Sequence, residues 1–328
     1  MVNPTQSKPK ILLSRRWTRE AEQYLSERYD VTLNVNDVPL DAAALTQAMR
    51  DYDAICPTVS DSLNAAILGT PGARVKLIGN FGVGFNHIDI EAARKAGITV
   101  TNTPDVLTDT TADLAILLML MATRRAGEGE RELREGRWTG WRPTHLLGQD
   151  VTNKTLGLVG FGRIAQATAR RAHLGFGMRI AYHSRRRATA QVEAQCNATY
   201  YESLDALLAD SDVLSLHCPG GAETHHLINR TRLGLMKQTA VLVNTARGPV
   251  VDEAALAESL ASGQIAAAGL DVYEREPIVH PGLLALQNVV LLPHMGSGTL
   301  ETRTAMGLRV ARNVDLFFAG QPVSDKVV

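Results

Sequence analysis

The stretch Lys154–Arg171, KTLGLVGFGRIAQATARR, constrains this chain more than any other. An apolar run ends at Gly160, Gly162 and Ala165, after which small and basic residues recur at helical spacing, so the segment reads as strand, tight turn and helix. Glycine in the first place suits a sharp turn, and glycine in the second lets a ligand approach the backbone. Alanine in the third still allows a helix to pack closely on a strand. The spacing is that of a dinucleotide fingerprint, GxGxxG/A, in which a pyrophosphate rests on the helix N-terminus.

Short apolar runs and helical patterns alternate on both sides of this segment. Before it come KILLS, Thr18 to Tyr29, VTLNV, Leu40 to Tyr52, DAICP, Ser62 to Leu68, VKLIGN, Ile90 to Ala96 and ITVTN. After it come RIAYHS, Leu204 to Ala209, DVLSLH, Thr231 to Met236, AVLVNTA, Asp252 to Ala261, AAAGLDV and NVVLLPH. Such alternation predicts parallel sheets covered by helices, and 328 residues are more than one core usually supports. Two doubly wound α/β domains are therefore expected. A helix is predicted from Val106 to Arg124, apolar nearly all round and so buried, followed by a charged stretch to Gly136 and an irregular arm, WTGWRPTHLLGQ. Its tryptophans suit either a core plug or an interface anchor. The last amphipathic helix, Thr299 to Ala319, follows the second sheet and is expected to return to the first domain, making that domain discontinuous.

Lysine plus arginine equals aspartate plus glutamate at 34 each, which leaves no electrostatic footprint for nucleic acid or anionic membrane and favours a small-molecule partner. Cys56, Cys196 and Cys218 lack CxxC spacing, so neither a disulfide framework nor a metal site is suggested, and a reducing cytosol fits. MVNPTQSKPK has no apolar signal-peptide core, and the run Leu114 to Ala122 falls well short of the roughly 20 residues a membrane span needs.

Three side chains follow predicted strands of the second half, at the edge where α/β sheets bind ligands: Arg247 in NTARGPVVDE, Glu276 in GLDVYEREP and His294 in LPHMGSGT. An arginine grips a carboxylate with paired hydrogen bonds. A histidine bonded to a carboxylate is favoured as imidazolium, which makes an acid/base device. Taken singly, each also suits a solvated loop group or a turn. In the first half, Asn80-Phe81-Gly82-Val83-Gly84-Phe85 follows a strand and reads equally as a tight turn or a ligand loop.

Together, LVGFGRIA, NTARG, GLDVYEREP and LPHMGSGT resemble the D-isomer-specific 2-hydroxyacid dehydrogenases, and within them the arm GRWTGWRP looks most like glyoxylate/hydroxypyruvate reductases. The resemblance implies a Rossmann-type nucleotide domain over residues 104–295 and a flavodoxin-like substrate domain over residues 1–103 and 296–328. It also implies a homodimer joined through an arm spanning 106–148. Arg247 would bind substrate carboxylate and carbonyl, His294 would donate the proton, and Glu276, which immediately precedes proline, would hold the imidazole in preference to Glu274. The amides of Val83 and Gly84 would complete the carboxylate site, and Trp141 would close the partner's pocket. Cofactor contacts would come from Thr110, Gly160, Gly162, Arg163, Ile164, Ser184, Arg185, Arg186, Cys218, Pro219, Thr224, Thr245, Ala246, Arg247, Asp271, His294 and Gly296, with Asp271 facing the nicotinamide. No metal is implied.

NAD-binding sheets carry an acidic residue about 20 residues beyond the fingerprint. Here that strand ends in His183-Ser184-Arg185-Arg186-Arg187, so NADP(H) is the expected preference, with NAD(H) accepted if the loop is merely solvated. Expected substrates are glyoxylate and hydroxypyruvate, giving glycolate and D-glycerate. Alternatives are a dehydrogenase for lactate-like or branched acids, and a nucleotide-sensing protein like the corepressors that share this fold. Formate dehydrogenases fit less well, since they place glutamine before that proline.

Overall fold

The computed structural model describes residues 7–328; most of the N-terminal stretch MVNPTQSKPK, with its expected lack of a leader, lies outside the described residues. The chain divides into two compact units, one formed by the chain up to Leu107 with Gly298–Val328 and one by Thr108–Ser297.

The first unit alternates β1 (Lys10–Leu13), α1 (Arg19–Arg28), β2 (Asp30–Leu33), α2 (Ala42–Asp51), β3 (Ala54–Cys56), α3 (Ala65–Leu68), β4 (Leu77–Gly79), α4 (Ile90–Lys95) and β5 (Thr99–Thr101). Its strands are parallel in the order β2-β1-β3-β4-β5. Asp41, Asn64 and Asp89 accept first-turn backbone N–H groups, which fixes where α2, α3 and α4 begin.

In the second unit, α5 (Thr108–Thr123) and α6 (Ala126–Arg134) precede β6 (Thr155–Val159), α7 (Arg163–Phe176), β7 (Arg179–His183), α8 (Ala190–Cys196), β8 (Ala198–Tyr200), α9 (Leu204–Asp210) and β9 (Val213–Leu216). There follow α10 (Arg230–Leu233), β10 (Val241–Asn244), α11 (Glu253–Ala261), β11 (Ala267–Leu270), α12 (Pro281–Leu284) and β12 (Val289–Leu291). The parallel order is β12-β11-β10-β9-β6-β7-β8. Strands β6, β9, β10 and β11 are buried throughout, which is why they read as unbroken apolar runs rather than alternating ones. The switch in strand order falls between β6 and β9, so the loops after them, Gly160 onward and His217 onward, flank the crevice such sheets offer a ligand.

Sequence reading missed α6, α8, β8 and the short α12. Helix α6 buries no residue and is laced by surface pairs such as Arg125–Glu128, and β8 is an edge strand with no fully buried position. Neither gives the apolar periodicity that betrays an element.

Helix α13 (Leu300–Phe318) packs on α1 and β4 and buries Met306, Val310, Ala311 and Val314, so the first unit is discontinuous. The tail after it runs antiparallel to β5, with Val327 N donating to Val100 O at 2.8 Å. Asp325 fixes this tail. It accepts two bonds from Arg309, at 2.9 and 2.7 Å, and one from Asn313 at 2.9 Å. Burial raises the Asp325 carboxyl, but the Arg309 and Asn313 bonds outweigh it and hold it below the usual carboxylate range.

Replacing Asp325→Asn should therefore lower unfolding free energy near neutrality by roughly 1–3 kcal/mol, the scale for losing a hydrogen-bonded buried charge. Because the folded value is depressed, the carboxylate's contribution is complete above the ordinary carboxylate range and vanishes as pH falls through the folded value. Urea unfolding should show the gap between wild type and variant closing in acid. A gap independent of pH would contradict this account.

Candidate active site

Gly160 has φ +86°, and a Cβ there would lie 2.9 Å from Cys218 N and from the His217 carbonyl, so only glycine makes this turn beneath the β9 loop. Gly162 is the N-cap of α7 with no side-chain cap, and a Cβ on it would meet nothing within 4 Å. Ala165 is fully buried. Nearby in sequence to Arg247, the buried Thr245 Oγ1 has no hydrogen-bond partner among the described residues. An uncapped helix N-terminus behind an open glycine turn, with an unsatisfied hydroxyl on a neighbouring loop of the same sheet edge, fits a dinucleotide.

The other residues expected at this site are distributed along the same unit. Thr110 lies in the first turn of α5, half-buried, while Arg163 is exposed and Ile164 half-buried at the start of α7. Cys218 is buried, its thiol pushed up to about 11 by burial, and Pro219 beside it is exposed. The Thr224 hydroxyl donates to Pro219 O at 2.7 Å.

Arg247, Glu276 and His294 stand on the loops after β10, β11 and β12. His294 Nδ1 lies 2.8 Å from Glu276 Oε2, and Glu276 Oε1 accepts Tyr273 N–H at 3.1 Å. An ionised carboxylate only accepts, so Nδ1 carries the proton of this bond and Nε2 is the nitrogen left for chemistry. Burial pushes the Glu276 carboxyl up, but His294, the Tyr273 amide and the Arg247 charge together hold it below its usual range. Burial lowers the Arg247 guanidinium and Glu276 opposes that. Glu274 is occupied elsewhere, accepting Glu253 N–H at 2.8 Å at the start of α11, so the carboxylate on the imidazole is that of Glu276.

The loops are locked to one another. A Cβ on Gly248 would fall 1.8 Å from the Tyr273 carbonyl carbon, so Gly248 lets the Arg247 loop lie against the backbone that leads to Glu276. The Tyr273 hydroxyl donates to Leu292 O at 2.8 Å, tying that backbone to the segment that leads from β12 to His294. His294 itself has φ +52°, a left-handed conformation that is uncommon outside glycine, and its N–H donates to Asp271 O at 2.9 Å. Asp271 is buried and spends its oxygens on the amides of Met295 and Gly296, at 2.6 and 2.8 Å. The Gly296 carbonyl accepts from Thr111 at 3.0 Å, so the Gly296 peptide groups are consumed in holding this turn. Burial holds the Asp271 carboxyl above its usual range, against those amides and the His294 charge.

After β7, Ser184 Oγ donates to Arg186 O at 2.5 Å. Arg185 pairs with Glu223, and Arg187 pairs with Glu193 through bonds of 2.9 and 3.0 Å. Arg186 is exposed and makes no ion pair among the described residues. On the arm, Trp141 is 82% exposed, in company with Leu133, Trp138 and Leu147.

In the first unit, Val83 and Gly84 lie on the loop after β4, both half-buried. Asn80 Nδ2 donates to Gly82 O and Gly84 O, at 2.9 and 3.0 Å, and Asn102 Nδ2 donates to Val83 O at 2.9 Å.

Sequence reasoning missed Gly248, Asn80, Asn102 and His217. Burial lowers the His217 imidazole to about 4, beside Ser215 Oγ at 2.9 Å, so it stays neutral at the crevice. Only the glycine after Arg247 and the amide-bearing asparagine before the glycine-rich loop left any trace in the sequence, and neither spacing names its contact.

Comparison with known proteins agrees with this geometry. The profile of the D-isomer specific 2-hydroxyacid dehydrogenase NAD binding domain matches residues 116–296. A glyoxylate reductase from Thermococcus onnurineus is 45% identical over 318 residues, covering 96% of this chain and 94% of its own. The crystal structure of an NADPH-dependent glyoxylate/hydroxypyruvate reductase from Sinorhizobium meliloti, in complex with NADP and malonate, superposes with TM-score 0.86 at 37% identity, covering 98% of this chain and 97% of that one. A glyoxylate reductase from Paecilomyes thermophila gives TM-score 0.85 at 36% identity, covering 98% and 99%. No helix among the described residues is long and apolar enough to cross a membrane. With the fingerprint turn, the His294–Glu276 pair and this likeness along its whole length, the chain belongs to the D-isomer specific 2-hydroxyacid dehydrogenase family.

Proposed function

We propose that the protein reduces small 2-oxo acids, glyoxylate and hydroxypyruvate, to glycolate and D-glycerate, with NADPH preferred over NADH. The observation that carries this reading is the His294–Glu276 bond of 2.8 Å in a chain 45% identical to a glyoxylate reductase. The nicotinamide cofactor, when bound, supplies the hydride. Gly160, Gly162 and the first turn of α7 hold its pyrophosphate. Arg247 binds the substrate carboxylate and carbonyl and so orients the carbon to be reduced, and the amides of Val83 and Gly84 take the carboxylate. His294 donates the proton from Nε2 to the carbonyl oxygen as negative charge develops there, and Glu276 keeps the ring oriented and protonated. Asp271 holds the turn beyond His294 through the Met295 and Gly296 amides and faces the nicotinamide side of the cleft.

The preference for NADPH rests on Arg186. Arg185 pairs with Glu223 and Arg187 with Glu193, which leaves Arg186 as the cation of this loop without an ion pair among the described residues and open to a 2′-phosphate, with Ser184 small enough to admit it. The exposed apolar side chains of the arm support a homodimer in which Trp141 closes the partner's pocket, which suits small substrates.

The test is steady-state oxidation of NADPH and NADH with glyoxylate, hydroxypyruvate and pyruvate, compared by kcat/KM. The highest values are expected for NADPH with the first two acids; reaction with bulkier 2-oxo acids alone would overturn the substrate assignment. His294→Ala should lower kcat about 100- to 10,000-fold, the usual worth of positioned acid catalysis. Glu276→Gln should also slow reduction, because the imidazole loses the carboxylate that orients it. Unchanged kcat in that variant would remove Glu276 from its role beside the imidazole. Arg186→Ala should cut kcat/KM for NADPH by roughly 10- to 100-fold while sparing NADH, and Ser184→Asp should shift preference further toward NADH. A constant cofactor ratio in both would show that another segment selects the cofactor.

A further inference from the structure

The loop after β4 has its carbonyls pinned in one direction. Gly82 O accepts from Asn80 Nδ2 at 2.9 Å and from Thr103 N at 3.1 Å. Val83 O accepts from Asn102 Nδ2 at 2.9 Å, and Gly84 O from Asn80 Nδ2 at 3.0 Å. In a trans peptide the N–H points opposite to the preceding carbonyl. Three consecutive carbonyls held from one side therefore turn three consecutive amides, those of Val83, Gly84 and Phe85, to the other. None of these amides donates to an acceptor among the described residues. Successive N–H groups facing one way form a nest that binds anionic oxygens.

Asn80 governs this arrangement, and it is fully buried. Both of its amide hydrogens are committed to the Gly82 and Gly84 carbonyls, so its Oδ1 must accept. The acceptor bond comes from His87 Nε2 at 2.9 Å, which fixes the proton of that ring on Nε2. The pair is self-consistent in one orientation only, since a turned carboxamide would face oxygen to two carbonyls and hydrogens to a donor.

We infer that Asn80, held by His87, is the positioning residue that presets an anion nest of the Val83, Gly84 and Phe85 amides for the substrate carboxylate. This rests on the function proposed above and extends it to a third amide and to side chains that touch no reactant. If Asn80 is removed, Gly84 O loses its donor, the Gly84–Phe85 peptide is free to turn, and a carbonyl dipole replaces an amide in the nest. Carboxylate affinity falls while the cofactor, bound on the other unit's fingerprint, is unaffected.

The experiment measures KM for glyoxylate, the inhibition constant of oxalate, the dissociation constant of NADPH and the melting temperature for wild type, Asn80→Asp, His87→Ala and His87→Gln. Asn80→Asp should raise the glyoxylate KM and the oxalate constant together by roughly 10- to 100-fold, the scale for losing a buried hydrogen bond, with NADPH affinity unchanged. His87→Ala should do the same less strongly, and His87→Gln, which restores an N–H donor, should recover most of the loss. Unaltered KM and oxalate binding in variants that melt cooperatively would overturn the inference, as would a loss of NADPH affinity equal to the loss for oxalate. Should Asn80→Asp not fold, the His87 pair decides: equal KM in His87→Ala and wild type overturns it, and an elevated KM rescued by glutamine supports it. Wild type that turns over no 2-oxo acid with either cofactor would overturn the proposed function and this inference with it, whereas normal wild-type turnover with unchanged variants overturns the inference alone.

Discussion

The chemistry of the second unit depends on one close approach, the backbone of Gly248 against that of Tyr273 and Glu274. Any side chain at position 248 would overlap the Tyr273 carbonyl carbon, so the loop that carries Arg247 could not lie where it does. Tyr273 passes the constraint onward. Its hydroxyl bonds to Leu292 O, its N–H bonds to Glu276, and its own position is set by Gly248. Three loops from three adjacent strands are thereby registered to one another before any ligand is considered. Groups contributed by separate strand ends serve catalysis only when their supports are rigid, because a displacement of about 1 Å is enough to cost much of the rate.

The same packing separates two carboxylates that differ little in sequence. Asp271 and Glu276 both sit in the loop after β11, and burial acts on both in the same sense. Among the described residues Asp271 has only backbone amides for hydrogen-bond partners and is held above the usual carboxylate range, whereas Glu276 has an imidazole hydrogen bond and a guanidinium charge and is held below it. Environments that push two acids in opposite directions divide their labour. Glu276 is thereby kept as the anion beside His294, and Asp271 as the clasp of the Met295–Gly296 turn that follows it.

Much of this was legible in the sequence wherever the signal is local. The fingerprint showed itself because turn, strand and helix are contiguous, and the buried strands because parallel sheets demand unbroken apolar runs. Arg247, Glu276 and His294 stood out by their place after strands, and Glu276 over Glu274 through the family resemblance, in which the glutamate immediately precedes proline. What escaped was contact through space. Gly248 reads as an ordinary turn glycine until Tyr273 is seen against it, and Asn80 as a strand end until its two carbonyls and His87 are in view. Helix α6 and strand β8 escaped because they bury too little to impose a period. The arginine run was legible, but its ion pairs were not, since Arg185 and Arg187 meet glutamates 38 and 6 residues away.

A chain of zero formal charge that handles anions must do so without surplus lysine and arginine. Backbone dipoles meet that requirement. The uncapped first turn of α7 and the amides of Val83, Gly84 and Phe85 offer partial positive charge that composition does not register, because every residue but proline carries an N–H whatever its side chain. Such groups serve only when their carbonyls are held away. In the first unit the holding reaches to the end of the chain: Asp325 O accepts the Asn102 N–H at 3.2 Å, and Asn102 in turn holds Val83 O. The Arg309–Asp325 pair thus does more than secure a tail, since it steadies the strand end from which one side of the loop is pinned. The bonds that secure the chain end thus also hold the loop after β4, through a buried Asn80 and a half-buried Asn102 rather than through exposed charges.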